Sequence, residues 1–284
     1  MAKSPLPSFY YEKLTWEEMN TAIAEERVVI IPVGSTEQHG RHLPMDVDTL
    51  LPRSIVVGAA ERVPDDVLVM PTIPYGFNTH HMDYPGQITI MASAFINYCL
   101  CVTKSLSYHG FNKIMFVNGH GSNMPVLDLV SRQTVLESKG KTLCMCFLHP
   151  SLIADVVAQH RESGRGGIAH ACELETSLYL YLDEEGVRKD KIEDENSLPP
   201  SDFHFFDLQY GSPVTMTPWF STYTKSGVCG QATLATKEKG KIFYEATVER
   251  LVQLIREYKA REIAPRHDNH ARKPEQDLDN LLHF

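Results

Sequence analysis

The chain has 284 residues, 43% of them apolar and 22% charged, which is typical of a globular protein that buries a core without disulfide bonds. Its net charge of -9, from 27 basic and 36 acidic residues, argues against nucleic acid or anionic membrane as the main partner. No apolar run approaches the ~20 residues of a membrane span, and the first residues contain no signal-like apolar segment. We therefore expect a cytoplasmic protein that binds a small polar molecule.

Apolar runs that end in Gly, Asn or Pro alternate with amphipathic segments along the chain. This alternation predicts βαβ units around a mainly parallel sheet, with no internal repeat and no second domain. In chain order we expect strand 27–35, helix 48–63, strand 66–76, helix 93–110, strand 113–122, helix 125–140, strand 141–150, helix 173–186 and helix 235–262.

Two segments lack such a pattern. Residues 189–226 are rich in Pro, Asp, Ser and aromatic residues without a clear period, which predicts a long loop that either covers a site or contacts a neighbouring subunit. The polar end of the chain, about residues 265–284, is expected to be a flexible tail.

Ligand-type side chains follow the predicted strands. Glu37 and His39 come after the first strand, and His120 follows the third. In an extended segment residues two apart point to the same side, so Glu37 and His39 present their side chains together. Because ligands bind beyond the carboxyl ends of parallel strands, we expect these groups to converge, although each alone is also compatible with a structural role.

Further candidates are polar residues near the same edge. Asn78, His80 and His81 follow the second strand and are expected to contact a polyhydroxylated or cyclic polar substrate, unless they are only hydrogen-bonded loop residues. Asp48 precedes a predicted helix, where aspartate also serves as an N-cap.

Two carboxylates, Glu173 and Glu175, stand at another helix start, where the helix dipole alone would favour them. Because their spacing of two sends them in different directions, we expect one to face a metal and the other to brace the loop.

Carboxylate and imidazole ligands without thiolate suit Zn²⁺, Mn²⁺ or another borderline divalent ion such as Fe²⁺. Five such ligands exceed the needs of one catalytic ion, which predicts two ions per chain that share Asp48. A two-metal site acidifies water and polarises a carbonyl oxygen, which indicates hydrolysis at an amide or other carbonyl carbon. The competing hypotheses are a single-metal lyase or isomerase and a non-catalytic protein that binds small molecules.

Four motifs in this order, GSTEQHGRHLPMDVDT, PYGFNTHHMDYPGQITI, FVNGHGSN and HACELETS, resemble the creatininase (creatinine amidohydrolase) family, with a weaker similarity in SGVCGQATLATKEKG. The resemblance implies one three-layer α/β/α domain with a mainly parallel sheet over residues 1–284. It also implies a two-metal site and a homo-oligomer, a hexamer in the family.

Carried onto this chain, the resemblance assigns Glu37 and His120 to one ion and His39 to the other, with Asp48 as the bridge. It makes His170 the residue that moves protons to the leaving group.

The sequence departs from creatininase at two places. Ser122 stands where creatininase has a glutamate ligand, so Glu173 is expected to supply that carboxylate and to share in catalysis, and Ser122 becomes a substrate-binding candidate. The segment ESGRGGIA directly before HACELETS contains no tryptophan, where creatininase has tryptophans that close over its substrate, so creatinine is not the expected substrate. The segment offers Arg165 instead, a candidate for binding an anionic group.

The resulting prediction is a divalent-metal-dependent hydrolase of a small polar, cyclic substrate. It would cleave an amide C–N bond, or a C–C bond beside a ketone as in the ring opening of 3-dehydro-scyllo-inosose. The alternatives are a formamide deformylase and a creatinine-type amidohydrolase.

Overall fold

A computed structural model describes residues 6–276. The main sheet has four parallel strands in the order β2-β1-β3-β4. Among the described residues the strands are β1 (Val28–Val33), β2 (Val67–Val69), β3 (Lys113–Asn118), β4 (Leu143–Leu148), β5 (Ile168–His170), β6 (Asp194–Glu195) and β7 (Cys229–Gln231). The helices are α1 (Trp16–Ala24), α2 (Val47–Arg62), α3 (Ala92–Tyr108), α4 (Met124–Glu137), α5 (Ala154–His160), α6 (Glu173–Leu182) and α7 (Lys237–Ala260).

Helices cover both faces of the main sheet, because alternate residues of each strand point to opposite sides. On β1, Val29 and Ile31 pack in a core cluster with residues of α3 and α4. Val28 and Ile30 pack in a second cluster with residues of α2 and α7. All four side chains are buried, and each contributes about 1.5–3 kcal/mol of apolar burial. The predicted three-layer α/β/α fold is therefore confirmed.

Several predicted elements have different bounds. The second strand ends at Val69 instead of residue 76, because Pro71 and Pro74 have no amide hydrogen for the ladder. The helix predicted to reach residue 186 ends at Leu182 and is followed by a separate 3₁₀ turn. Helix α1 was not predicted, although Thr15 and Glu18 form a capping box at its start.

A second, antiparallel sheet in the order β5-β7-β6 was also missed. Its strands have two or three residues each, too few to show an alternating pattern. Through β6, the loop predicted for 189–226 is attached to the segment that carries His170. In this sheet the strand that precedes α7 lies in the centre, between the strand that precedes α6 and the strand of the long loop.

At the chain end, residues 265–276 of the expected tail are exposed and contain no helix or strand, and residues 277–284 lie outside the described residues. Within residues 6–276, every helix is too short or too polar to span a bilayer. All six cysteines are free thiols.

Candidate metal centre

The ends of β1 and β3 and the first turn of α2 meet in a buried polar cluster. Glu37 and His39 follow β1 and are 0% exposed, and Asp48 of α2 is 2% exposed. Glycines make this approach possible: a Cβ at Gly34 or Gly119 would overlap the Asp48 carbonyl oxygen. The two strand ends can therefore pack directly against the backbone of α2.

Asp48 lies between two histidines. Its Oδ1 is 3.2 Å from His39 Nε2, and its Oδ2 is 3.3 Å from His120 Nδ1. Glu37 Oε1 is 3.1 Å from the same His120 Nδ1. On the other side, Glu175 Oε1 is 4.0 Å from His39 Nε2. Three groups within the described residues are close enough to hold a cation: Glu37, Asp48 and His120; His39, Asp48 and Glu175; and Glu37, His39 and His170.

Backbone carbonyls orient the two histidines beside Asp48. His39 Nδ1 donates to Glu37 O at 3.3 Å, and His120 Nε2 donates to Phe77 O at 3.2 Å. The opposite ring nitrogens face the carboxylates. Hydrogen bonding of the distal nitrogen to a carbonyl is the usual arrangement for metal-ligating histidines.

Several polar atoms of the cluster have no neighbour in a geometry suitable for a hydrogen bond, although ring nitrogens and carboxylate oxygens lie close together. Both carboxylate oxygens of Glu37, Asp48 Oδ2 and His39 Nε2 are buried without such a partner. Leaving charged groups unsatisfied in the interior costs several kcal/mol, and a bound cation would remove that cost. The donor set and its unsatisfied atoms thus fit divalent metal ions.

Electrostatics in the cluster favour added positive charge. Burial lowers the pKa of His39, but the charge and hydrogen bond of Asp48, together with the charges of Glu175 and Glu37, outweigh burial and raise that pKa to about 9. Burial likewise opposes ionisation of Glu37, yet the charge of His120 is the main influence that lowers its pKa to about 2. Ion-free, the cluster retains protons on imidazoles, and a metal ion would compete with these protons for the same nitrogens.

Glu175, and not Glu173, belongs to the cluster, which corrects the expected ligand. Glu173 Oε1 accepts from Lys239 Nζ at 2.6 Å and from the Glu162 amide at 3.0 Å, and its Oε2 accepts from the Ser163 amide at 3.0 Å. Burial and the charge of Asp48 raise the pKa of Glu175 to about 7, although His39 opposes this rise. Both carboxylates are in the first turn of α6, and the phase of that helix decides which one faces His39.

Two further histidines approach Glu37 Oε1 from the same side. His170 Nδ1 lies 3.8 Å from this oxygen, and His81 Nε2 lies 3.7 Å from it. Burial lowers the pKa of both imidazoles well below the usual value, so both are neutral near pH 7. They add proton donors or acceptors to the cluster without adding charge.

A cavity of about 360 Å³ opens onto the cluster. His80, His81 and Ser122 line it as expected, and Ser122 Oγ is 3.2 Å from His80 Nε2. Asn78 does not line it: its side chain is fully buried and donates to Ser35 Oγ at 2.8 Å. Asn78 therefore braces the loop, which corrects its expected role as a substrate contact.

The long loop 189–226 forms much of the cavity wall, so it covers the cluster. Phe220 stacks on His81 at 4.1 Å between ring centroids and meets His170 edge-on at 4.8 Å. Among the described residues that line the cavity there is no lysine or arginine. Arg165 instead pairs with Asp202 at 3.0 Å. The aromatic lining residues from this loop are Phe205, Phe206, Tyr210, Phe220 and Tyr223.

Comparison with curated proteins finds relatives that cover most of the chain. Creatinine amidohydrolase of Pseudomonas putida is 29% identical over 88% of this chain and 97% of its own length. The mycofactocin precursor peptide peptidase of Mycobacterium ulcerans is 30% identical over 80% and 84%. The 3-dehydro-scyllo-inosose hydrolase of Thermotoga maritima is 27% identical over 96% and 91%.

Solved structures show the same similarity. A creatininase described as the Mn form superposes with a TM-score of 0.73 at 26% identity, and it covers 89% of this chain and 100% of its own. A creatininase variant of the Zn-Zn type gives a TM-score of 0.73 at 26% identity, over 90% and 100%. A family model described as creatinine amidohydrolase matches residues 12–255. The chain thus belongs to the creatininase family and is a metal-dependent hydrolase.

Proposed function

We propose that this hydrolase uses two divalent ions per chain to cleave a small, uncharged, cyclic polar substrate at a carbonyl carbon. The observation that supports the proposal is that Glu37 and Asp48 are buried beside imidazole nitrogens, and three of their carboxylate oxygens have no hydrogen bond. Glu37, Asp48 and His120 would hold one ion. His39, Asp48 and Glu175 would hold the other. Mixed carboxylate and imidazole ligands favour Zn²⁺ or Mn²⁺, with Fe²⁺ as a further candidate.

Bound divalent ions supply Lewis acidity, which acidifies water and polarises a carbonyl oxygen. The chain supplies the proton transfers. His170 Nε2 donates to Gln38 O at 2.7 Å, which leaves Nδ1 as an acceptor directed at the cluster. In the proposed reaction His170 takes a proton from the attacking water and passes it to the leaving group. Glu173 lies outside the cluster, so its proposed role is to hold the loop at 162–163 in place.

The cavity supports the substrate class. His80, His81 and Ser122 supply hydrogen-bonding groups at one side, and Phe220 contributes an aromatic wall. A flat ring with polar substituents matches both surfaces, whereas a carboxylate or phosphate would find no lysine or arginine in the described lining. We propose cleavage of an amide C–N bond or of a C–C bond beside a ketone, since relatives include a creatinine amidohydrolase and a 3-dehydro-scyllo-inosose hydrolase.

The test combines elemental analysis with a substrate screen. Protein purified without chelator is expected to contain close to two divalent ions per chain, and a panel of lactams, formamides and keto-inositols should include a substrate. Turnover in ¹⁸O-labelled water should place the label in the product. Absence of metal would favour the binding protein, and turnover without incorporation would favour the lyase or isomerase.

Homo-oligomer formation, cytoplasmic location and a single domain over 1–284 stay predictions. Light scattering coupled to size-exclusion chromatography tests the first, and a mass near that of one chain would contradict it.

A further inference from the structure

Gln38 stands between two proposed ligands, and its own side chain is held by the backbone. Its Oε1 accepts from the Gly40 amide at 2.8 Å, and its Nε2 donates to Gly227 O at 3.0 Å. An amide N–H can only donate and a carbonyl can only accept, so these two contacts fix which end of the carboxamide faces which neighbour. Gln38 is 7% exposed, so water does not offer competing partners.

The fixed carboxamide determines the tautomer of His81. Gln38 Nε2 lies 3.3 Å from His81 Nδ1, and an NH₂ group is a donor only. In the neutral ring Nδ1 must therefore accept, and the proton must be on Nε2. This Nε2 faces Glu37 Oε1. His81 thus presents an N–H donor to the cluster.

The backbone of the same residue gives His170 the opposite role. His170 Nε2 donates to Gln38 O at 2.7 Å, so its proton is on Nε2 and its Nδ1 lone pair faces Glu37 Oε1. Gln38 Nε2 also lies 3.1 Å from His170 Nε2. Because His170 Nε2 already carries the proton that it donates to Gln38 O, it has no lone pair for this amide, and the two amide hydrogens are assigned to Gly227 O and His81 Nδ1.

We propose that Gln38 is a positioning residue that gives the two histidines beside Glu37 opposite hydrogen-bonding roles, His170 as proton acceptor and His81 as donor. The catalytic part of this inference rests on the proposed hydrolysis. As the water oxygen bonds to the carbonyl carbon, His170 accepts the water proton. The His81 N–H hydrogen-bonds to the negative charge that develops on the carbonyl oxygen. The C–N or C–C bond then breaks, and the proton on His170 goes to the leaving group.

The segment Ser226–Gly230 (SGVCG), which supplies no proposed metal ligand, holds the Gln38 carboxamide in place through Gly227 O. Gly227 has a φ of +88°, and a Cβ there would overlap Gln38 Oε1. Its neighbour Ser226 donates to Glu195 Oε2 through its backbone amide at 2.8 Å. Glycine at 227 therefore leaves room for the carboxamide, and Glu195 holds the segment that supplies its acceptor.

The experiment reads the tautomers directly. Zinc-loaded protein carrying ¹³C,¹⁵N-labelled histidine is studied by magic-angle-spinning NMR, with His81→Asn and His170→Asn spectra used for assignment. In Gln38→Glu a carboxylate replaces the donor, so His81 should change to the Nδ1–H tautomer, while His170 keeps Nε2–H through the backbone. Gln87→Glu is the matched control, because Gln87 Oε1 accepts from the backbone amide of Gln38 and a carboxylate oxygen can do the same. That control should leave both rings unchanged.

Gly227→Ala and Gln38→Met provide a second route if Gln38→Glu does not fold, and both should alter His81 in the same selective way. With a substrate in hand, each of these variants should lose kcat by roughly 10- to 100-fold, the usual effect of removing a hydrogen-bond partner behind a metal site, with KM little changed. An unchanged His81, or equal changes in His81 and His170, would overturn the inference. A selective His81 change in a protein without hydrolase activity would keep the tautomer assignment and refute the proposed function instead.

Discussion

Glu173 and Glu175 stand two residues apart in the first turn of α6 and serve different partners: Glu173 pairs with Lys239 at 2.6 Å, and Glu175 faces His39 at 4.0 Å. The same helical turn therefore contributes one carboxylate to the packing of α6 against α7 and another to the metal cluster. The sequence predicts this division of roles, but the expected metal ligand was Glu173, whereas the structure places Glu175 beside the cluster.

Replacing each glutamate by glutamine, which has the same shape without the charge, distinguishes the metal-binding role from the packing role. Glu175→Gln should lower the metal content by about one ion per chain and activity by at least ~100-fold, because a neutral amide is a poor ligand. Glu173→Gln should keep both ions but lower the free energy of unfolding by roughly 2–3 kcal/mol, because Lys239 loses the buried one of its two carboxylate partners and keeps only Glu162. Elemental analysis and urea unfolding measure the two effects. Loss of an ion from Glu173→Gln with retention in Glu175→Gln would restore the original assignment.

His120→Ala and Glu37→Ala should each remove metal and reduce turnover by roughly 10³-fold or more, since each deletes a ligand of the same proposed ion. The fold should remain, because neither side chain packs in the clusters that hold the sheet. Circular dichroism and metal content check this. His109→Ala, an exposed histidine after α3, is the control and should retain both metal and turnover. Wild-type activity in either ligand variant would contradict the metal site.

Phe220→Leu should lower kcat/KM by about tenfold, because it removes the ring stacked on His81, and aromatic contacts of this kind are worth about 0.5–1.5 kcal/mol beyond area burial. Metal content should not change, since Phe220 supplies no ligand atom. Steady-state kinetics on the substrate found by the screen provide the measurement. Phe203→Leu, at a side chain 69% exposed on the same loop, should have wild-type kinetics. Equal losses in both variants would show that the loop responds as a whole.

Glu195→Gln should make stability depend less on pH. Burial opposes ionisation of this carboxyl, but hydrogen bonds from Ser226, Lys225 and Thr224 lower its pKa from 4.5 to about 2. Because the folded-state pKa is depressed, the ionised group stabilises the fold fully above about pH 4.5, and this contribution is lost as pH falls toward 2.

At pH 7 the Glu195→Gln variant should be less stable by about 1 kcal/mol, a value already reduced for solvent screening at this part-exposed site. Urea unfolding at a series of pH values should show the difference from wild type shrinking below about pH 4.5. A difference that is constant with pH would assign the effect to packing rather than to charge.

The main sheet and its helices were predictable, because strands β1 and β3 contain the apolar runs Val28–Val33 and Ile114–Val117, which end at polar turns. The convergence of Glu37, His39 and His120 was predictable because each residue follows the carboxyl end of a predicted parallel strand. The choice of Glu175 over Glu173 was not predictable, since it depends on how α6 is rotated against Lys239 of α7.

The role of Asn78 and the identity of the aromatic residues that line the cavity also could not be predicted from the sequence. Asn78 and His81 belong to the same short loop, yet the Asn78 side chain donates to buried Ser35 whereas His81 lines the cavity. The aromatic content of residues 189–226 was the available signal for the cavity wall. Without a period, however, it gave no indication of which rings face the cluster.

The small antiparallel sheet carries His170 and leads into α6, whereas Glu37 and Asp48 belong to the parallel sheet and its first crossover helix. Cations held between Asp48 and Glu175 would tie these two parts of the chain together. Metal availability would then govern how cooperatively the protein melts, and chelation would loosen the cavity wall before the parallel sheet.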